Sequence, residues 1–186
     1  TNITNVTGSF QTLLSAGVPN PKYLLMFPFF NGAAANSGNA VSNSPYQSFF
    51  DTAPATTSPV SLTNLQVQCG GKTIFPLVEQ YDFQQYQDEF AAVFAYNGGK
   101  APIMTSGLLT QAQWNLSPVY VIDLSRRLPM DLNTNKSVQV TATINSANPV
   151  GAGATVATID IVAFIVYQRK ATFNVVNGLL KPEETY

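Results

Sequence analysis

No histidine occurs in the 186 residues, and cysteine occurs once, at Cys69. Without imidazole, Ser-His-Asp and Cys-His catalysis lose their base, the one side chain whose unperturbed pKa lies near neutral pH. One thiol cannot build a disulfide framework, and with no further soft or imidazole ligands there is no usual zinc site. Cys69 is expected to be a small core residue. Charge is scarce too: Asp, Glu, Lys and Arg make up 10% of the chain, against roughly 25% in ordinary soluble domains. No basic run exceeds Arg126-Arg127 or Arg169-Lys170, so the electrostatic footprint of direct nucleic-acid binding is missing. Runs of about 18 apolar residues are also absent; the longest candidate, Ile159 to Tyr167, is broken by Asp160 and has the length of a strand. The chain is not expected to span a membrane.

Apolar residues account for 45% of the chain, with 12 Phe and 8 Tyr, which argues against disorder. The length suits one domain, residues 1–186, burying roughly 70% of the surface its unfolded chain exposes. Ser, Thr, Asn and Gln crowd Thr1 to Thr7 and Asn31 to Asn64, so much of the surface is neutral. A net charge of -1 repels copies of the chain weakly and suits self-association. Opening at Thr1, with no initiator Met and no signal-peptide apolar segment, the sequence is expected to be the ordered part of something longer.

The patterning is that of a β protein. A weak strand is expected near Ser9 to Leu14. Lys22 to Phe30 (KYLLMFPFF) reads as a buried strand between the turn signals Pro19-Asn20-Pro21 and Asn31-Gly32. Ala33 to Pro59 reads as a long surface loop lying on a neighbour. From Leu62 to Cys69 polar and apolar residues alternate, with Leu62, Asn64, Gln66 and Gln68 assigned to the polar face. Gly70-Gly71 then turns the chain into Lys72 to Phe75 as a two-residue hairpin. A helix is expected from Asp82 to about Tyr96, capped by Asp82, with Phe83, Tyr86, Phe90, Val93 and Phe94 as its apolar stripe. Asn97-Gly98-Gly99 ends it, and a shorter helical turn is placed near Leu108 to Trp114. Val119 to Leu124, Ser137 to Ile144 and Thr155 to Gln168 are β-branched and aromatic strands, with Phe173 to Val176 continuing the last or adding another. This arithmetic gives an all-β, antiparallel, eight-stranded jelly-roll β-sandwich with one inserted helix.

The order of these features has a parallel. YLLMFPFF, then NLQVQCGGKTIFP leading into YDFQQYQDEF, then WNLSPVYVIDLSRRLP with SVQVTATI behind it, resembles the C-terminal jelly roll of double jelly-roll major capsid proteins. These form the adenovirus-hexon-like lineage of tailless icosahedral viruses. The similarity runs from about Phe10 to Val176 and lies in feature order and short motifs. It implies a structural protein of the virion shell, with no reaction and no cofactor. It further implies a homo-trimer forming a pseudo-hexagonal capsomer that meets neighbouring capsomers, and either a second jelly roll preceding Thr1 or a single-roll variant. A carbohydrate- or receptor-binding jelly roll, lectin-like or from a virion, is the competing function.

Several local patterns bear on chemistry. Gly71-Lys72-Thr73 matches the end of a phosphate-binding loop, but Gln66 stands where an earlier glycine belongs and Ile74-Phe75-Pro76 follows where a helix should start. Asp51-Thr52-Ala53 is similar to the active loop of aspartic proteases, which needs a second carboxylate to share a proton; a surface-loop Asp explains it better. Glu79, Asp82, Asp88 and Glu89 cluster around a helix start, where the macrodipole favours negative charge. Asn2, Asn5, Asn115 and Asn135 head N-x-Ser/Thr sequons, which chance explains in so polar a chain. Trp114 suits a core or interface anchor. Asp160 falls on the strand face opposite Ile159 and Ile161, toward solvent or an interface. Asp123, in an apolar strand, is expected to pair with an Arg locally or across a subunit boundary. Asp123, Arg126 and Arg127 are the candidate interface residues, because an Arg fork holds carboxylates bidentately. No catalytic, cofactor or metal residue is assigned.

Overall fold

A computed structural model of the chain describes residues 2–6, 8–31, 60–75, 81–96, 109–116, 118–126, 134–146, 158–168, 172–176 and 179–183. The expected loop from Ala33 to Pro59, Asp51-Thr52-Ala53, Glu79, Asn97-Gly98-Gly99, Arg127 and the side chain of Phe94 lie outside the described residues.

The described residues are mostly β, with antiparallel sheets and few helices. Its strands are β1 (Asn2–Val6), β2 (Ser9–Pro19), β3 (Pro21–Asn31), β4 (Val60–Cys69), β5 (Lys72–Thr73), β6 (Tyr120–Asp123), β7 (Asn135–Ser146), β8 (Thr158–Tyr167), β9 (Thr172–Val176) and β10 (Leu179–Glu183). The helices are α1 (Phe83–Tyr96) and α2 (Gln111–Leu116). One four-stranded sheet has the order β1-β8-β3-β6, a second β2-β7-β4-β5, and β9 and β10 pair as a hairpin. Strands β1 and β10 were not among the sequence expectations: NITNV reads as a polar stretch, and LLKPE carries a proline and two charges.

Alternation explains the second sheet well. Along β7, Val138, Val140 and Ala142 are buried, while Gln139, Thr141 and Thr143 between them are only partly so. Strand β4 departs from the expected phase. Thr63 pairs with Thr143 and Gln66 with Thr141, so Asn64 and Leu65 together stand opposite Ala142. Asn64 takes a left-handed backbone, φ 52°, and this bulge lets Leu62 and Leu65 both point into the core. A strict period of two had put Leu62 on the polar face.

The hairpin forms as expected. Cys69 pairs with Lys72, and Gly70 and Gly71 between them hold φ of 62° and 78°, the conformation a two-residue turn demands. Beyond β5 the Gln66 amide continues the ladder, its Nε2 donating to the Phe75 carbonyl at 3.0 Å. Gly71-Lys72-Thr73 therefore lies in a hairpin and opens no helix.

Asp82 Oδ1 accepts the Gln85 N–H at 2.8 Å and caps α1. Tyr86 and Val93 of the expected stripe are buried, Phe83 and Phe90 partly so. Thr110 and Gln113 cap α2 reciprocally: the Gln113 N–H donates to Thr110 Oγ1 and the Thr110 N–H to Gln113 Oε1.

Both four-stranded sheets contribute to one apolar cluster, Leu24, Met26, Tyr120, Ile122 and Ile161 from the first, Leu62, Leu65, Val67, Val138 and Val140 from the second. Cys69 lies within it as a buried cysteine outside any disulfide. A hydrogen bond joins the sheets: the Leu62 N–H of β4 donates to Tyr120 Oη of β6 at 2.7 Å.

Candidate functional site

Strand β6 holds Asp123, and its geometry follows from its place at the end of a sheet. It pairs with β3 from Tyr23↔Asp123 to Met26↔Tyr120, and the Leu124 N–H continues the ladder to the Lys22 carbonyl. In an antiparallel strand the backbone groups of alternate residues face alternate sides. Even-numbered residues of this segment thus face β3, and the odd-numbered Val119, Val121 and Asp123 face outward. A buried, unpaired outward edge would cost about 1–3 kcal/mol per polar group.

Side chains from the helical insertion occupy that edge in order. Trp114 Nε1 donates to the Val119 carbonyl at 3.0 Å. Tyr81 Oη donates to the Val121 carbonyl at 2.5 Å and accepts the Val121 N–H at 3.1 Å. Glu89 Oε2 accepts the Asp123 N–H at 2.8 Å. The rings of Tyr81, Trp114 and Tyr120 pack together at centroid separations of 5.0 to 6.4 Å, only Tyr81 and Trp114 being stacked, and this packing keeps water from these bonds. Tyr81, Glu89 of α1 and Trp114 of α2 thus cover the strand edge as an added strand would, one of the ways proteins block edge pairing.

Glu89 carries the charge of this cap at 0% exposure. Its Oε1 accepts from Gln85 Nε2 at 3.0 Å and from the Arg126 guanidinium. Burial raises the Glu89 pKa above the ordinary carboxylate range, a rise opposed by the Asp123 N–H and by Arg126 and reinforced by the Asp123 carboxylate. Asp123 Oδ2 lies 3.9 Å from Arg126 Nε, and Oδ1 accepts the Ser125 N–H at 2.8 Å. The expected local pairing of Asp123 with an arginine is present. Arg126 also meets a carboxylate in its own chain, that of Glu89, while 42% of its side chain remains exposed.

Both Glu89 oxygens are engaged, and Asp123 is held by a turn and an ion pair, so the cluster is built as a strut. Burial likewise raises the pKa values of Tyr81, Tyr86 and Tyr120, keeping their hydroxyls protonated. Among the described residues no three His, Cys, Asp or Glu side chains converge as metal ligands would. No described helix is long and apolar enough to cross a membrane.

Sequence reasoning placed Glu89 in an acidic cluster at a helix start and so missed its role. The signal was its position: three residues after Tyr86 and four before Val93, it falls inside the apolar stripe. No family model, no curated protein and no solved structure matches this chain.

Proposed function

We propose that the chain is an eight-stranded jelly-roll sandwich, β1 to β8 with the α1 region inserted in a loop, of the double jelly-roll capsid type. It serves as a structural subunit that assembles through trimeric capsomers into an icosahedral virion shell, and it carries out no reaction. The observation that carries this reading is the strand order. Orders β1-β8-β3-β6 and β2-β7-β4-β5 interleave the two sheets along the chain as two nested Greek keys do. Fold alone does not assign function. The step to a shell rests on the likeness of YLLMFPFF, NLQVQCGGKTIFP and WNLSPVYVIDLSRRLP to that lineage and on the low charge of the chain.

On this reading the half-exposed Arg126, with Asp123 and Arg127, lies near a subunit boundary. Its guanidinium has donors beyond those used on Glu89 and can reach a neighbour's carboxylate or carbonyls. Electron microscopy of the purified protein under assembly conditions tests the function. Ring-shaped trimers or closed shells are expected; a monodisperse monomer that binds glycans would assign the chain to a carbohydrate-binding jelly roll instead.

A further inference from the structure

The two four-stranded sheets differ in their outer faces. On the second, the outward residues of β7 are Gln139, Thr141 and Thr143, as expected of a sheet that meets water. On the first, β8 buries Ile161 and Ala163 inward, and alternation turns Val162, Phe164 and Val166 outward. The register sets Val162 beside Phe27, Phe164 beside Leu25 and Val166 beside Tyr23. Cross-strand partners share a face, so six apolar or aromatic residues from the two central strands lie together on the outside.

Helix α1 packs on the β6 margin of this face, where Val121 and Asp123 are buried. Toward β8 the face is exposed, with Phe164 at 54%. Phe164 meets Phe27 edge to face at 6.1 Å and presents the rest of its ring outward. Strands apolar on both faces are the pattern of sheets covered on both sides, and FPFF and IVAFIVY have that pattern.

We propose that this outer face of β3 and β8 is the surface on which a second copy of the chain packs, an inference that rests on the self-assembly reading above. Strands β3 and β8, 11 and 10 residues long and about 4.8 Å apart, span roughly 300 Å² in plan. That is the size of a large apolar patch on a monomer and somewhat under half of the roughly 800 Å² per partner in a stable interface, whose polar rim supplies the remainder. The partner must be flat and apolar, and must tolerate Asp160, the carboxylate that alternation places on the β8 part of this side. A copy of the chain meets these demands: its charge is -1, so approach is barely opposed, and its own first sheet presents a flat apolar face of the same kind, the geometry of aligned sheet packing.

Photo-crosslinking tests the assignment, with p-benzoylphenylalanine placed at position 164 in the full chain, an exposed site that accepts a bulkier ring. Irradiation of the oligomer should give a covalent species of twice the chain mass. Crosslinks confined to one chain, or none from an oligomeric sample, would overturn the inference and leave self-assembly standing; a sample with no oligomer at any concentration would remove both. In parallel, Phe164→Glu should keep the wild-type circular dichroism spectrum and weaken association roughly tenfold or more. Thr141→Glu, on the polar outer face of the second sheet, should associate as the wild type does. Equal association of Phe164→Glu and wild type, or equal loss in both variants, contradicts the assignment of the interface to this face.

Discussion

Tyr81 and Val121 are joined twice through one atom: the phenol oxygen donates to the Val121 carbonyl at 2.5 Å and accepts the Val121 N–H at 3.1 Å. One side chain thereby satisfies both outward backbone groups of a residue in an edge strand. With Trp114 on Val119 and Glu89 on Asp123, the insertion replaces a missing fifth strand. Strand β5 ends the other sheet after two residues, a second way of limiting an edge. On the self-assembly proposal, edges blocked in this way would suppress wrong pairings between copies.

Tyr81→Phe keeps the ring and removes the hydroxyl. It should destabilise the protein by about 1–3 kcal/mol for each backbone group of Val121 left unpaired in the core. Chemical denaturation measures this, and an unchanged midpoint would mean that water or a neighbour replaces the hydroxyl.

Much of the fold was legible in the sequence because periodicity reports local geometry. The alternation in SVQVTATI, the Gly70-Gly71 turn and the Asp82 cap all appear where their chemistry requires them. What was not legible depended on long-range partners or on breaks in period. The bulge at Asn64 moved Leu62 to the inside, and β1 forms from a polar stretch because β8 offers it a ladder, Asn2 opposite Val162. In the candidate site, Asp123 was legible as the partner of an arginine, locally or across a subunit boundary, and Arg126 is the local one. Their common partner Glu89 lies 34 residues before Asp123, and no local pattern links them.

Arg126→Ala should weaken the fold in a pH-dependent way. Burial sets the Glu89 pKa above its unfolded value, so the stability tied to its protonated form is fully present below the ordinary carboxylate pKa. That stability is lost as pH rises through the elevated value. Removing Arg126 raises the pKa further, so the loss relative to wild type should be small in acid and reach about 1–3 kcal/mol near neutrality. Denaturation midpoints across this pH range decide it; a difference independent of pH would mean that Arg126 does not stabilise the Glu89 charge. In Glu89→Gln this pH dependence should disappear, because the titrating group is gone.

Gly71 holds φ of 78° with nothing near the position a Cβ would take. Gly71→Asn should therefore be nearly neutral, since Asn tolerates the left-handed region, whereas Gly71→Val should cost about 1–2 kcal/mol or more. Thermal unfolding of the two variants separates conformational strain from steric contact, and equal melting temperatures would argue against the turn geometry.

The most direct test of the central claim, that this chain works by assembling with itself, is its mass in solution by sedimentation equilibrium across a wide concentration range. Reversible formation of a species of three chain masses, growing with concentration, is the expected result. A single species of one chain mass at every concentration would contradict it.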